Sequence, residues 1–183
     1  MTYKKHKKGF TLIETLLAVL ILAIALAAPL TIAAKALSAA LIAKDQTTAF
    51  FLAQDAVEYV RFKRDTNTLP LTPATWTSTA WLSGIDTLCS GTDGCKVDSR
   101  ENTIVACSGS CGLLQYNETK NWYTYDTSVS GEVIKPSIFT RKVVLASVSS
   151  NSDEKSVTVT ISWKDVGGVT RSLVVRENIT NWQ

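Results

Sequence analysis

Between Thr15 and Ala34 the chain runs for twenty residues without a charge. As a helix such a run is about 30 Å long, the thickness of the hydrocarbon core of a bilayer. Four lysines, Lys4, Lys5, Lys7 and Lys8, stand ahead of it. Under the positive-inside rule they keep that end in the cytoplasm while the rest crosses. One carboxylate, Glu14, sits on the apolar side of the Gly9/Phe10 boundary. An acidic residue costs about 2.5–3.5 kcal/mol at mid-membrane and less near the interface, so an ionisable group in a span points to a function and a partner. The natural partner here is a free amine, and cutting the chain after Gly9 makes one at Phe10.

Lys7-Lys8-Gly9 followed by Phe10-Thr11-Leu12-Ile13-Glu14 resembles the type III signal of type IV pilins and type II secretion pseudopilins. The resemblance implies that a prepilin peptidase cuts between Gly9 and Phe10, that Phe10 becomes the N-methylated first residue, and that Glu14 is needed for subunit assembly. It is tight over residues 4 to 34 and looser beyond. Two other readings of the same stretch are a plain signal anchor and a secretory signal peptide. The anchor explains orientation but leaves Glu14 without a role. The signal peptide has an A-x-A-like site at Ala25-Leu26-Ala27, yet Glu14 interrupts its core and apolar sequence continues past the site. Pro29 lies inside the helical run, where it removes one hydrogen bond and favours a kink. Pilins often carry a proline at about this depth.

The chain has 183 residues, about one domain's worth, and a formal charge of +3. Four of the 19 basic residues and none of the 16 acidic ones lie before Gly9, so a cut chain carries 15 against 16. Beyond Arg64 the count is 10 basic to 12 acidic. The basic character belongs mostly to the leader, and no nucleic-acid partner is predicted. The one histidine is His6, in the segment expected to be removed. A mature mechanism that needs histidine as base or ligand is thereby excluded, so an enzyme is not expected.

From Ala36 the helix is expected to continue as an amphipathic segment. Ala49, Leu52, Ala53, Ala56, Val57 and Val60 fall at three- and four-residue spacing and form one apolar stripe. Lys44, Asp45, Asp55, Glu58, Lys63 and Arg64 lie off it, and Glu58 and Arg61 are placed to pair. Asp65-Thr66-Asn67-Thr68, with Pro70 and Pro73 beyond, reads as the stop. The segment Ala49 to Gln54, followed by Glu58 and Arg61, is similar to the helix of minor pilins and of the minor pseudopilin called I, more than to major pilins. The expected division is a leader at 1–9, a helix at 10–64 with about 15–34 in the membrane, and a head at 65–183.

Residues 65 to 95 read as loop, with a short helix near Trp76 to Leu82. Cys89, Cys95, Cys107 and Cys111 follow. An even cysteine count in an exported head points to two disulfides. Nested pairing would staple a hairpin between Lys96-Val97 and Ile104-Val105, sequential pairing would pin two small loops, and a third pairing crosses. The short Gly/Ser-rich intervals favour the sequential arrangement. A four-cysteine zinc site is the rival, against which the usual two-residue gap is missing. No metal or cofactor is expected.

In the last third Val157, Val159, Ile161 and Trp163 alternate with Ser156, Thr158, Thr160 and Ser162, the period of a strand with one buried face. Asp165 to Gly168 is a turn and Val169 to Arg176 the return strand. Phe139 to Val148 reads as the preceding strand, with a turn at Ser149 to Asp153. The cluster Trp122, Tyr123 and Tyr125 suits a strand or core better than an exposed contact. The expected fold is α+β and pilin-like, a long helix packed on a C-terminal antiparallel sheet.

The function this implies is a minor pilin or pseudopilin subunit. Its partners would be prepilin peptidase, the inner-membrane assembly platform, the membrane and other pilin subunits. The head would lie outside the cytoplasm, first on a single-pass inner-membrane protein and then in a cell-surface or periplasmic filament. The competing class is a membrane-anchored binding module that does not polymerise.

Overall fold

The computed structural model describes residues 9–69, 80–148 and 151–181, apart from the side chains of residues 151 and 152. Helix α1 (Leu12–Thr68) is followed by a 3-10 turn (Ala80–Leu82) and a short helix α2 (Asp86–Cys89). Seven strands follow: β1 (Cys95–Asp98), β2 (Thr103–Ala106), β3 (Leu113–Asn117), β4 (Trp122–Thr124), β5 (Ile134–Val148), β6 (Asn151–Lys164) and β7 (Thr170–Thr180). All pair antiparallel in one sheet. A long N-terminal helix with a C-terminal antiparallel sheet is the α+β, pilin-like architecture that the sequence predicts.

The chain divides into two compact units, Met1–Ala43 and Lys44–Gln183. The second unit takes the amphipathic part of α1 together with the sheet. Its core holds all six stripe residues, Ala49, Leu52, Ala53, Ala56, Val57 and Val60, joined by Tyr59. The facing sheet buries Val157, Val159, Ile161 and Trp163 from β6 and Phe139, Val143 and Leu145 from β5. Small alanines on the stripe let the helix approach these larger side chains closely.

Sheet order is β2-β1-β5-β3-β4, with β6 on β5 and β7 on β6. The fifteen-residue β5 makes this possible. Its later half pairs with β6 from Thr140↔Ser162 onward, leaving the opposite edge to β3 and then to β1. The expected three-strand meander is therefore only part of the sheet. Strand β5 begins at Ile134, five residues before Phe139, and runs through Pro136. A proline argues against a central strand, which hid this stretch. It is tolerated beside the irregularity between Leu113 and Gln115 in the β3 register. Strand β6 starts at Asn151, inside the expected turn, and β7 continues to Thr180. Residues 149 and 150 of that turn lie outside the described residues. Asp165 to Gly168 does turn the chain: Gly168 N–H donates to the Asp165 carbonyl at 2.8 Å.

The helix ends also differ from expectation. It starts at Leu12 and not Phe10, and it runs to Thr68 and not Arg64. The polar run that reads as a stop satisfies itself within the helix. Thr66 Oγ1 donates to the Phe62 carbonyl at 2.8 Å and Thr68 Oγ1 to the Arg64 carbonyl at 2.9 Å. Asn67 Nδ2 donates to the carbonyls of Trp81 and Ser83 at 3.2 and 2.8 Å. That brings in Trp81 and Leu82, in the 3-10 turn at the end of the stretch where a short helix is expected, and Ile85 beyond it, all three buried. Pro70, Pro73 and Trp76 lie outside the described residues.

Beside the Ser99 hydroxyl, which donates to Asp55 at 2.8 Å, three polar ties join the helix to the sheet. Arg61 bonds Glu58 at 2.8 Å, as the spacing predicts, and also Glu177 of β7. Tyr59 donates to Asn102 Oδ1 in the β1–β2 turn at 2.9 Å; burial, and after it the Asp98 carboxylate, push its phenol up to about 12. The third is Arg141 of β5, 1% exposed. Its Nη1 donates to the Leu52 carbonyl at 3.0 Å and to Asp55 at 2.8 Å, and its Nη2 to the Val97 carbonyl. The guanidinium also lies 5.9 Å from the Tyr125 ring centroid. Tyr125 in turn donates from its hydroxyl to the Arg141 carbonyl at 2.8 Å. Trp122 and Tyr123 belong to β4 and are half-buried, a strand as the sequence reading favours.

Arg141 is buried but its partner Asp55 is partly exposed, so Arg141→Ala chiefly strands the Leu52 and Val97 carbonyls and should destabilise the head by about 1–3 kcal/mol in denaturant unfolding. Arg141→Met, which keeps the packing, should cost less. A pH series tests a second pair. Arg171, bonding from Nε at 2.6 Å, and then the N–H groups of Val169 and Gly167 hold the Asp165 carboxyl below the usual carboxylate range. A lowered folded value gives stability that is full above about pH 4, the unfolded value, and lost as pH falls through the folded one. Asp165→Asn should therefore lower the melting temperature most near neutrality, with the gap to the parent closing in acid.

Candidate processing and assembly site

Within the first unit, Gly9, Phe10 and Thr11 form three non-helical residues ahead of α1. All three are exposed, Phe10 at 82%. A side chain at position 9 would meet no atom within 4 Å. Exposed, non-helical chain of this kind is where proteolysis concentrates, and the Gly9–Phe10 bond lies in it.

The helix starts where it does because Thr11 caps it. Glu14 N–H reaches the Thr11 carbonyl at 3.1 Å and the Thr11 hydroxyl at 3.4 Å. This is the first half of a capping box, Thr-x-x-Glu. The sequence reading passed over Thr11, although the three-residue spacing to Glu14 was its signal. Glu14 itself falls in the first turn, where the helix dipole favours a negative charge. The carboxylate at the start of the apolar run is thus also at the electrostatically better end of the helix.

The side chains beyond it are bare. From Phe10 to Leu37 every large apolar residue of this stretch is more than half exposed. By length and composition α1 can cross a membrane. An apolar surface this continuous calls for lipid or for other helices. Its few polar groups are satisfied locally: Thr15 and Thr31 donate to the carbonyls of Leu12 and Ala28, each at 2.8 Å. Pro29 stays within the helix. Having no N–H, it leaves the Ala25 carbonyl without its usual donor four residues on.

In comparisons with known proteins, the family model described as the prokaryotic N-terminal methylation motif matches residues 4–28. No curated protein and no solved structure matches the chain. The motif supports a type IV pilin-like protein carrying a prepilin-type signal. It marks a structural rather than an enzymatic family, and it implies processing by prepilin peptidase and assembly with other pilins. With the apolar helix it is consistent with membrane anchoring.

Outside the matched stretch the sequence singles out four cysteines. The structure joins Cys89 to Cys95 and Cys107 to Cys111, so the nested, crossed and zinc arrangements do not apply. Among the described residues no cluster of three or more His, Cys, Asp or Glu side chains could hold a metal. The hairpin Lys96↔Val105 and Val97↔Ile104 forms without a staple across it. Instead the two small loops lean on each other. Cys107 N–H donates to the Gly94 carbonyl at 2.9 Å, and Gly109 N–H to Asp93 Oδ2 at 2.9 Å. Gly94 has φ +67°, and a side chain there would run into the Val143 carbonyl, so only glycine lets this loop lie against β5.

Closing loops of this size adds about 2 kcal/mol each. Both sulfurs of the first bridge belong to fully buried cysteines in the core, whereas Cys107 is only half-buried. Replacing Cys89 and Cys95 by alanine should therefore lower stability in denaturant unfolding by more than the same change at Cys107 and Cys111.

Proposed function

We propose that this protein is a minor pilin or pseudopilin, a structural subunit of a type IV pilus or a type II secretion-like filament. The observation that carries this reading is Glu14 at the head of a bare apolar helix, five residues after Gly9 in the matched motif. The lysines of the leader hold the N-terminus in the cytoplasm, and α1 stores the subunit in the inner membrane with its head on the other side. Prepilin peptidase cuts between Gly9 and Phe10, removing the lysines and freeing the Phe10 amine, which is then methylated. The helix can now leave the bilayer, because the four lysines no longer precede it and the one cation left ahead of Glu14 is the Phe10 amine.

Glu14 selects where it goes. In lipid its carboxylate is unfavourable by up to about 2.5–3.5 kcal/mol. Beside the Phe10 amine of a neighbouring subunit it becomes one half of an ion pair. In a low-dielectric filament core, breaking such a pair costs more than making it gains. The pair therefore fixes the axial register between subunits more than it adds to affinity. The exposed leucines, isoleucines and valines then pack against sister helices, and the assembly platform supplies the subunits.

Glu14→Ala should abolish incorporation into filaments while leaving membrane insertion intact, read by separating membrane and sheared filament fractions. A mutant found in filaments at the parent level would refute the assembly role. A parent found only in membranes, with sister pilins absent from its cross-linked products, would favour a tethered, non-polymerising module.

A further inference from the structure

Within the second unit α1 keeps one face outward. Opposite the buried stripe stand Phe51 and Phe62, 62% and 56% exposed, with Phe50 beside them at 52%. Phe51 and Phe62 are eleven residues apart. That is three helical turns, so the two positions lie on one line about 16 Å long. Phe50 meets Phe51 edge-on, with 6.2 Å between ring centroids. Phenylalanine gains by leaving water, and grouped aromatic side chains on a surface mark a place where something packs.

The same face is notched. A cleft of about 280 Å³ opens between Phe51, Leu52 and Tyr123, and one of about 400 Å³ between Tyr59, Phe62 and Asn102. Asp55 borders both. Raised rings and clefts at helical spacing are the relief that a second helix fits, ridges into grooves. Backbone groups inside a helix are already bonded, so a strand has nothing to add to here. Asp55 and Glu58, the acidic residues between the two rings in sequence, are paired with Arg141 and Arg61 at 2.8 Å each. Arg100, on the wall of the first cleft, lies over the Trp122 ring at 5.3 Å. Covering the ridge therefore strands neither carboxylate, and the occupant it suits is an uncharged helix.

We infer that this face seats the apolar half of α1 from a neighbouring subunit, the two helices running parallel. This chain shows what such an occupant looks like. Thr15 to Ala34 carries no charge, and its large apolar side chains are all more than half exposed. The contact rests on the pilin reading and extends it from the membrane segment to the head. Two subunits stored side by side in a bilayer have their helices level. The contact therefore forms only when one stands further along the filament, by about thirty residues of helix or roughly 45 Å. It keeps every N-terminus pointing the same way. Because it joins two different surfaces, it repeats from subunit to subunit and does not close on a pair.

The test uses the full chain in its native host. The chain has no free cysteine, so an introduced one is the only reactive thiol. Phe51→Cys and Phe62→Cys should take a maleimide in isolated membranes and lose that labelling in sheared filaments. Val174→Cys, at an exposed position of β7, should label in both. A benzophenone carried on the position-62 thiol should cross-link, in filaments, to the apolar helical peptide of a neighbouring subunit. Equal labelling of positions 51 and 62 in membranes and filaments overturns the proposal. So does equal shielding of position 174, which is general burial, or a benzophenone adduct on a neighbour's head, which is a different occupant. If a cysteine variant drops out of filaments, Phe51→Leu and Phe62→Leu, which keep apolar bulk, should assemble; their equal failure means that packing is not the cause and the contact falls. A parent chain never found in filaments sinks the assembly reading and this contact with it. A parent that assembles while positions 51 and 62 stay open sinks the contact alone.

Discussion

The first unit cannot satisfy itself. Its helix exposes an apolar surface and begins with a carboxylate, and among the described residues of the unit nothing covers the one or neutralises the other. Lipid meets the first need and opposes the second. A bundle of sister helices with free N-termini meets both. In the proposed reading that difference would give a direction to the traffic between membrane and filament, and cleavage, by making the amine available, would link processing to assembly through one charge. The capping role of Thr11 adds a local condition: the first turn is held by the residue next to the proposed new terminus.

The head solves a separate problem. Half a helix on one face of a sheet makes a thin core, and it is reinforced by polar ties at defined places. Arg141 is the most central, since a single guanidinium reaches a helix carbonyl, a helix carboxylate and a β1 carbonyl. Asp98 does similar work at the edge of the core. It accepts the N–H groups of Arg100 and Glu101, the Thr124 hydroxyl and the Tyr125 N–H, so the β1–β2 turn and β4 are fixed together. The disulfides complete this by pinning loops that have little apolar surface of their own. A buried charge of this kind is weak evidence for stability but a good device for register.

What was legible in the sequence follows from periodicity and punctuation. The stripe from Ala49 to Val60 and the alternation from Val157 to Trp163 are regular, and every apolar residue named in them is buried. The Asp165 turn announced itself by its glycines. Strands β1 to β4 have three to five residues each, too few for a period to show, and they owe their form to pairing, β1 and β3 with β5, and β2 and β4 with those two. The first part of β5 was masked by Pro136. The helix end was masked by threonines that usually favour turns but here bond back to the preceding turn of helix. At the candidate site, the order of lysines, glycine, phenylalanine and glutamate was readable at once, because it is local chemistry. The Thr11 cap was equally local and was overlooked. The clasp at Arg141 could not be read, since its partners lie 44 to 89 residues away.

The central claim is that the functional terminus is Phe10, facing Glu14 across a subunit boundary. Mass spectrometry of the mature N-terminus, on membranes from the native host, addresses it directly. The account predicts a chain that begins at methylated Phe10. A chain beginning at Ala28, or one retaining Met1, would contradict it, the first by removing Glu14 and the second by leaving no amine for it to meet.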